Sequence, residues 1–127
     1  MESDASISLL LVEDEPLALE LLCTILAKKF PLLTLYCASN GIIGMDLFKI
    51  HRPAIVVTDL NMPEMDGEQL ADSIYALKPD TKFIFITGYC DQLNRKYSDN
   101  KSGGFYQLIM KPVAFQELFA AIEKCLT

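Results

Sequence analysis

The sequence predicts an α/β domain in which a five-stranded parallel sheet is covered by helices on both faces. Apolar runs of strand length recur five times, and segments with helical periodicity separate them. The runs are nearly continuous rather than alternating, which is typical of parallel strands buried on both faces. Strands that alternate with helices also indicate right-handed crossovers. We expect a single domain over residues 1–127, with the polar residues 1–6 extended or disordered and no effector domain.

The five apolar runs define the strands, and their connections define the order of the sheet. Five βα units without a glycine-rich fingerprint predict a flavodoxin-like (βα)5 three-layer sandwich with strand order 2-1-3-4-5. In such a sheet, ligands bind at the carboxyl ends of strands 1 and 3, where the winding direction reverses. The predicted strands are Ile7–Val12, Leu33–Cys37, Ala54–Thr58, Phe83–Thr87 and Phe105–Met110.

The helices are predicted from apolar spacing and from residues that favour helix starts. Pro16 suits the first turn of the first helix, because no partner is needed there for an N–H. Ser39 and Asn40 are expected to cap the second helix, and the third begins near Asp66. The inward-facing residues should be Leu17, Leu21, Leu22, Ile25 and Leu26 in the first helix, Ile43, Leu47, Phe48 and Ile50 in the second, Leu70, Ile74 and Leu77 in the third, and Phe115, Leu118, Phe119, Ile122 and Leu126 in the last.

The segment between the fourth and fifth strands, residues 88–104, differs from the other connections. Leu93 and Tyr97 are its sizeable apolar anchors, and it ends in a Ser-Gly-Gly run. We interpret it as a short, weakly anchored fourth helix, with a largely irregular segment as the alternative.

Composition narrows the classes of partner and compartment. The net charge of -6 disfavours direct binding to nucleic acid or to an anionic membrane, and it suits a site that holds a cation. Four cysteines without a CxxC pair, and one histidine, argue against zinc. We interpret the cysteines as small buried apolar residues in a reducing compartment. The sequence shows no secretory signal and no apolar run near the about 20 residues that span a bilayer, so we expect a cytoplasmic protein.

Polar residues follow four of the predicted strands at the edge where ligands would bind. Glu13 and Asp14 follow strand 1, Asp59 follows strand 3, Thr87 ends strand 4 and Lys111 follows strand 5. Three neighbouring carboxylates repel one another unless a hard dication joins them, and Mg²⁺ prefers such oxygen ligands. One carboxylate oxygen would remain free to act as a nucleophile, as in acyl-phosphate chemistry.

Four motifs, each following a predicted strand, carry a resemblance that covers essentially the whole chain. They are LLVEDEP at residues 10–16, DLNMPEMDG at residues 59–67, ITG at residues 86–88 and KP at residues 111–112. In this order they make the chain similar to a receiver domain of the two-component response-regulator family.

The resemblance implies a role for each motif residue. Asp59 would accept a phosphoryl group from a phosphohistidine on a partner kinase. Asp14, Asp59 and the main-chain carbonyl of Asn61 would ligate Mg²⁺, with Glu13 acting through water. Thr87 and Lys111 would contact phosphoryl oxygens once Asp59 is modified. The Lys111-Pro112 bond is commonly cis in this family, a choice that costs only about 0.5–1 kcal/mol before proline.

The resemblance also implies partners. One is a histidine kinase or phosphotransfer protein. Another is a downstream effector, which would bind the face formed by the fourth helix, the fifth strand and the last helix. A weak homodimer of the domain is also implied. Neither nucleic acid nor membrane is expected as a direct partner. The module would promote only its own phosphorylation and dephosphorylation, so it is not expected to be a turnover enzyme.

Two positions bear on how the family's switch would work in this chain. One departs from the family pattern, and the other would affect access of water to the phosphoryl group. The family's switch aromatic stands three positions before the lysine, where this chain has Leu108. Tyr106 lies two residues earlier on the same strand face, so the output movement is expected to be weaker or to take another route. Tyr89, two residues past Thr87, would shield the phosphoryl group from water.

The sequence leaves three alternative hypotheses for the function open. A pseudo-receiver would bind partners without phosphorylation, which the intact acidic residues argue against. An aspartate-nucleophile, Mg²⁺-dependent phosphatase would place a second aspartate two residues after the nucleophile, where this chain has Asn61. A flavin carrier would need a phosphate-cradling loop after strand 1, and the acidic EDEP sequence would repel that phosphate.

Overall fold

The computed structural model of the protein describes residues 7–62, 65, 67–88 and 105–127. The expectations for residues 1–6, Asp66, Tyr89, Cys90 and the predicted fourth helix lie outside these described residues. Strand bounds agree with the sequence prediction to within one residue. The strands are β1 (Ser8–Val12), β2 (Thr34–Ala38), β3 (Ile55–Asp59), β4 (Lys82–Thr87) and β5 (Phe105–Met110), and the helices are α1 (Pro16–Lys29), α2 (Gly41–His51), α3 (Gly67–Leu77) and α4 (Phe115–Leu126).

The strands form one parallel sheet with the order β2-β1-β3-β4-β5. The predicted fold class and strand order are therefore confirmed. Val12 pairs with Thr58 across β1 and β3, so the residues that follow them emerge side by side. Thr87 pairs with Met110 across β4 and β5. The register thus brings the carboxyl ends of four strands to one edge of the sheet.

Both faces of the sheet are buried, which explains the continuous apolar runs. In β1, Leu9 and Leu11 face the core beneath α1 and α4, whereas Leu10 and Val12 face the core beneath α2 and α3. All four side chains have no exposed surface. Since successive side chains of a strand point to opposite faces, a strand covered on both sides needs apolar residues at every position.

The helices begin and end at residues with clear local roles. The Glu15 carboxylate accepts a hydrogen bond from the Leu17 N–H (3.2 Å) ahead of Pro16 in the first turn of α1. The Asn40 side chain accepts from the Ile43 N–H (2.8 Å), which confirms Asn40 as the cap of α2. Arg52 ends α2 in the left-handed region, with φ of 50°. Within the described part of the chain, no helix has the length and apolar character needed to cross a bilayer.

Several predictions of inward-facing helix residues are wrong. In α1, Leu22 and Leu26 are buried, but Leu17 and Leu21 are 76% and 50% exposed. The buried stripe of α1 runs instead through Leu19, Leu22, Cys23, Ile25 and Leu26. At the other helices the exposed members of the predicted sets are Ile43, Ile50, Leu77, Phe115 and Leu126.

The second helix shows a physical reason for two of these errors, Ile43 and Ile50. Its buried face contains Gly41, Gly44, Met45 and Phe48. A Cβ atom at Gly44 would lie 3.0 Å from a methyl carbon of Val12, so glycine lets α2 approach β1 closely. A helix that packs through glycine has few apolar side chains on its buried side. Apolar periodicity alone then assigns exposed residues such as Ile43 and Ile50 to the core.

The interpretation of the cysteines as small buried apolar residues is also wrong for two of them. Cys23 in α1 and Cys37 in β2 are joined by a disulfide bond, and both residues are half-buried. Cys125 in α4 is a buried free thiol, as expected. Sequence spacing could not reveal the pair, because the two cysteines meet through the packing of α1 on β2.

Gly67 gives a test of how tightly α3 packs on the end of β3. A Cβ atom there would lie 2.5 Å from the Asp59 carbonyl oxygen and 2.8 Å from the Leu60 Cα atom, both backbone atoms that cannot move away cheaply. Gly67→Ala should therefore lower the free energy of unfolding by about 2 kcal/mol in urea titrations. Gly88→Ala is the matched control, because a Cβ at Gly88 meets nothing within 4 Å. Equal stabilities for the two variants would contradict this packing.

Candidate functional site

The loop after β1 is held by three hydrogen bonds that backbone N–H groups donate. The Glu13 N–H donates to the Ala38 carbonyl at the end of β2 (3.1 Å). The Glu13 carboxylate in turn accepts from the Glu15 N–H (3.1 Å), and Glu15 caps α1. The loop is therefore held between β2 and the start of α1, with Asp14 between two anchored residues.

Three carboxylates meet at this corner of the sheet. Glu13, Asp14 and Asp59 each place an oxygen within 4.8 Å of the others. Glu13 is 6% and Asp59 1% exposed, whereas Asp14 is half-buried. Burial raises the pKa of the Glu13 carboxyl above its usual range, and the nearby Asp59 charge raises it further. The cluster therefore carries an electrostatic cost when all three groups are ionised.

Asp59 is held at both of its carboxylate oxygens. Oδ1 accepts from the Asn61 N–H at 3.0 Å, and Oδ2 accepts from the Lys111 ammonium at 2.7 Å. The Lys111 side chain is 43% exposed, whereas that of Asp59 is 2% exposed. The hydrogen bond to Asp59 is the main cause that raises the pKa of Lys111. Lys111 therefore remains a cation beside the buried carboxylate at neutral pH.

The position of Lys111 depends on the end of the neighbouring strand. Its N–H donates to the Thr87 carbonyl at 3.0 Å, which continues the pairing of β4 with β5 by one residue. Thr87 itself is 1% exposed. The Lys111-Pro112 peptide is cis, as the family resemblance implied. Lys111 directly follows β5, and its ammonium reaches Asp59 at the end of β3.

The donor set fits a hard divalent cation. Carboxylate oxygens are ligands that Mg²⁺ prefers, and Mg²⁺ needs only one or two of them beside carbonyl and water oxygens. A cluster of three acids with one raised pKa gains from such an ion, since the cation offsets their mutual repulsion. The residues present are therefore chemically suited to Mg²⁺.

The structure brings Glu13, Asp14, Asp59 and Lys111 into one site and places Asn61 and Thr87 at its border. Sequence reasoning did not identify Gly67 as a site residue. Its N–H donates to the Leu60 carbonyl (3.0 Å), and its bare Cα lies against the backbone of Asp59. The sequence places Gly67 near the start of the third helix, and only the three-dimensional packing shows that a side chain there would collide with the end of β3.

Comparisons with known proteins agree with this geometry. The family model described as "Response regulator receiver domain" matches residues 9–123. A probable C4-dicarboxylate response regulator DctR of Priestia megaterium is 30% identical over 118 residues, which cover 92% of this chain and 50% of the relative. A sensor kinase CckA of Brucella abortus is 31% identical over 96 residues, covering 73% of this chain and 10% of that protein.

The solved structures give the same result. The crystal structure of a response regulator receiver domain protein (CheY-like) from Methanospirillum hungatei JF-1 is similar with a TM-score of 0.80 and 26% identity. The match covers 93% of this chain and 91% of that one. In contrast, this chain spans half or less of the length of the two curated relatives.

The cost of the acidic cluster can be measured through Glu13. Because its pKa is raised in the folded state, the native protein binds this proton more tightly than the unfolded chain does. Its contribution to stability is therefore greatest below the unfolded pKa and falls as pH rises through the folded pKa. In metal-free buffer, Glu13→Gln should unfold at a higher temperature than the wild type at neutral pH, and should lack this fall.

Glu20→Gln is the matched control, since it makes the same chemical change at an exposed position of α1. Thermal unfolding of both variants and the wild type should be followed from about pH 4 to about pH 8. A wild type and a Glu13→Gln variant with parallel stability profiles would contradict the predicted repulsion.

Proposed function

Because this chain belongs to the response regulator receiver domain family, we propose that it is the phosphoacceptor module of a two-component phosphorelay. Asp59 accepts the phosphoryl group from a phosphohistidine of a partner kinase or phosphotransfer protein. The observation that carries the proposal is the contact of Lys111 with Asp59 at 2.7 Å, beside two further acids. A buried carboxylate, a cation and two further acids lie together at one sheet edge, which supports the proposal that Asp59 is the nucleophile.

The proposed reaction is a displacement at phosphorus. An oxygen of the Asp59 carboxylate forms a bond to phosphorus while the bond between phosphorus and the imidazole nitrogen breaks. The electron pair of that bond returns to the histidine of the partner. The product on this chain is an aspartyl phosphate, a mixed anhydride. The Asn61 N–H and the Lys111 ammonium orient the carboxylate before the transfer.

Asp14, Asp59 and the Asn61 carbonyl would hold Mg²⁺, with Glu13 acting through water, and the ion would supply positive charge that offsets the phosphoryl oxygens. The protein contributes a preorganised set of donors. Asp59 and Glu13 are buried and fixed by backbone N–H groups, so little reordering is needed when charge develops. After transfer, the Lys111 ammonium pairs with a phosphoryl oxygen, and the Thr87 hydroxyl donates to another.

The proposed route of the signal runs from Thr87 into β5. Thr87 pairs with Met110, and two positions earlier Phe85 pairs with Leu108. Leu108 and Tyr106 pack against the core beneath α2 and α3, and the Tyr106 ring lies 6.3 Å from the Phe85 ring. Leu108 occupies the family's aromatic position, so Tyr106, the aromatic residue of β5 on this face, is proposed to sense a movement of Thr87.

The partners of the switch are proposals that rest on family membership. A histidine kinase or phosphotransfer protein delivers the phosphoryl group, and an effector binds the face that includes β5 and α4. Both a response regulator and a sensor kinase carry a segment similar to this chain. The module is proposed to act in the cytoplasm and to promote only its own phosphorylation and dephosphorylation.

Replacement of Asp59 gives the direct test. With acetyl phosphate and Mg²⁺, the native wild-type protein should gain the mass of one phosphoryl group, and Asp59→Asn should gain none, because the amide is not a nucleophile of this kind. Asp46→Asn, an exposed change on α2, should behave as the wild type. Intact-mass spectrometry reads the result. Phosphorylation of Asp59→Asn to the wild-type level would refute the assignment.

The proposed role of Thr87 makes a separate prediction. Thr87→Ala should still be phosphorylated, but the phosphodonor should no longer change the amide chemical shifts of Tyr106 and Leu108. Thr87→Ser keeps the hydroxyl group and should restore those changes. If the alanine and serine variants respond alike, the hydroxyl does not couple the site to β5.

A further inference from the structure

The disulfide between Cys23 and Cys37 lies outside the phosphoacceptor chemistry. It joins the middle of α1 to the edge strand β2 across 14 residues of sequence. Both cysteines pack at the border of the core beneath α1 and α4, where they are partly buried. The sequence did not predict a disulfide bond between these two cysteines.

Regular secondary structure brings the two sulfur atoms together. Leu22 and Leu26 fix the inner stripe of α1 in the core, and Cys23 lies beside that stripe. In β2, Leu35 and Cys37 face the same core, while Tyr36 faces the other one. Because a helix and a strand hold the two residues, their proximity is a property of the fold itself.

We propose that Cys23 and Cys37 form a reversible thiol–disulfide site that opens and closes in the folded protein. Disulfides in cytoplasmic proteins are usually transient or redox-sensing rather than permanent, and the inference rests on the cytoplasmic location proposed above. The partial exposure of both residues lets a small thiol or disulfide reach the bond. This inference does not depend on phosphorylation of Asp59.

The exchange uses a low-molecular-weight disulfide such as glutathione disulfide. One cysteine thiolate attacks a sulfur of the small disulfide and releases one small thiol, which leaves a mixed disulfide on the protein. The second cysteine thiolate attacks the protein sulfur of that mixed disulfide and releases the second small thiol. The protein loses two electrons and two protons, and the small disulfide gains them. Excess small thiol reverses both steps.

Cys125 is an internal contrast to this pair. It is 4% exposed, and burial raises the pKa of its thiol above the usual range. A buried neutral thiol is a poor nucleophile. Cys125 should therefore stay reduced under conditions that oxidise the proposed pair.

The bond has a structural consequence near the acidic corner. Cys37 precedes Ala38, whose carbonyl accepts from the Glu13 N–H, and Cys23 lies on the helix that begins after Glu15. The disulfide therefore links the two elements that flank the loop of Glu13 and Asp14. Its reduction should loosen α1 against β2, and amide hydrogen exchange in α1 should become faster.

The site can be tested on the native full chain in glutathione buffers. After equilibration without denaturant, free thiols are trapped by alkylation and the protein is digested with trypsin. Cleavage after Lys28, Lys29 and Lys49 separates residues 1–28 from residues 30–49. Excess glutathione disulfide should join these two peptides, and excess reduced glutathione should release both in alkylated form. Two outcomes would overturn the proposal: thiols that remain free under oxidation, or a bond that opens only after unfolding.

A second measurement uses matched variants to test whether the disulfide holds α1 against β2. Amides of α1 should exchange at least about tenfold more slowly in the oxidised wild type than in the reduced one, since a closed loop of this size stabilises strongly. Cys37→Ser and Cys23→Ser should abolish the difference, and Cys125→Ser should retain it. The proposal would be refuted if the effect of oxidation on exchange persists in the Cys37→Ser and Cys23→Ser variants. It would also be refuted if the effect disappears in the Cys125→Ser variant, because other thiols would then be responsible.

Discussion

The close approach of three carboxylates is the constraint on which the site depends. Parallel pairing of β1 with β3 forces Glu13 and Asp14 to emerge beside Asp59, and burial deepens the cost of their charge. Lys111 offsets part of it by contact with Asp59. A site that retains such repulsion is chemically suited to a divalent cation, because the added positive charge offsets the carboxylates.

The fold and the site residues could be predicted because their signals are local and strong. Continuous apolar runs specify buried parallel strands, and a polar residue directly after each run marks the edge of the sheet. Asp59 and Lys111 are both found there, although 52 residues separate them in sequence. The order of the strands places them together, so one topological prediction accounts for most of the site.

Other features depend on packing that the sequence does not display. The buried face of α2 is built partly from Gly41 and Gly44, which contribute no apolar side chain to a periodicity pattern. The apolar spacing of α1 predicts Leu17 on the inner face, yet Leu17 is exposed and lies outside the stripe that contacts the sheet. The bond between Cys23 and Cys37 forms because the packing of α1 on β2 brings the two sulfur atoms together. Each is set by the approach of two elements rather than by either element alone.

In the proposed function, Glu13, Asp14 and Asp59 hold a divalent cation together with a phosphoryl group on Asp59. Titration of the native protein with beryllofluoride, a phosphoryl mimic, in the presence and absence of Mg²⁺ tests it most directly. Beryllofluoride should shift the amide signals of Asn61, Thr87 and Lys111 to saturation in the presence of Mg²⁺ and leave them unchanged in its absence, because the ion offsets the negative charge of the mimic. Unchanged signals in the presence of Mg²⁺, or equal shifts without it, would contradict the account.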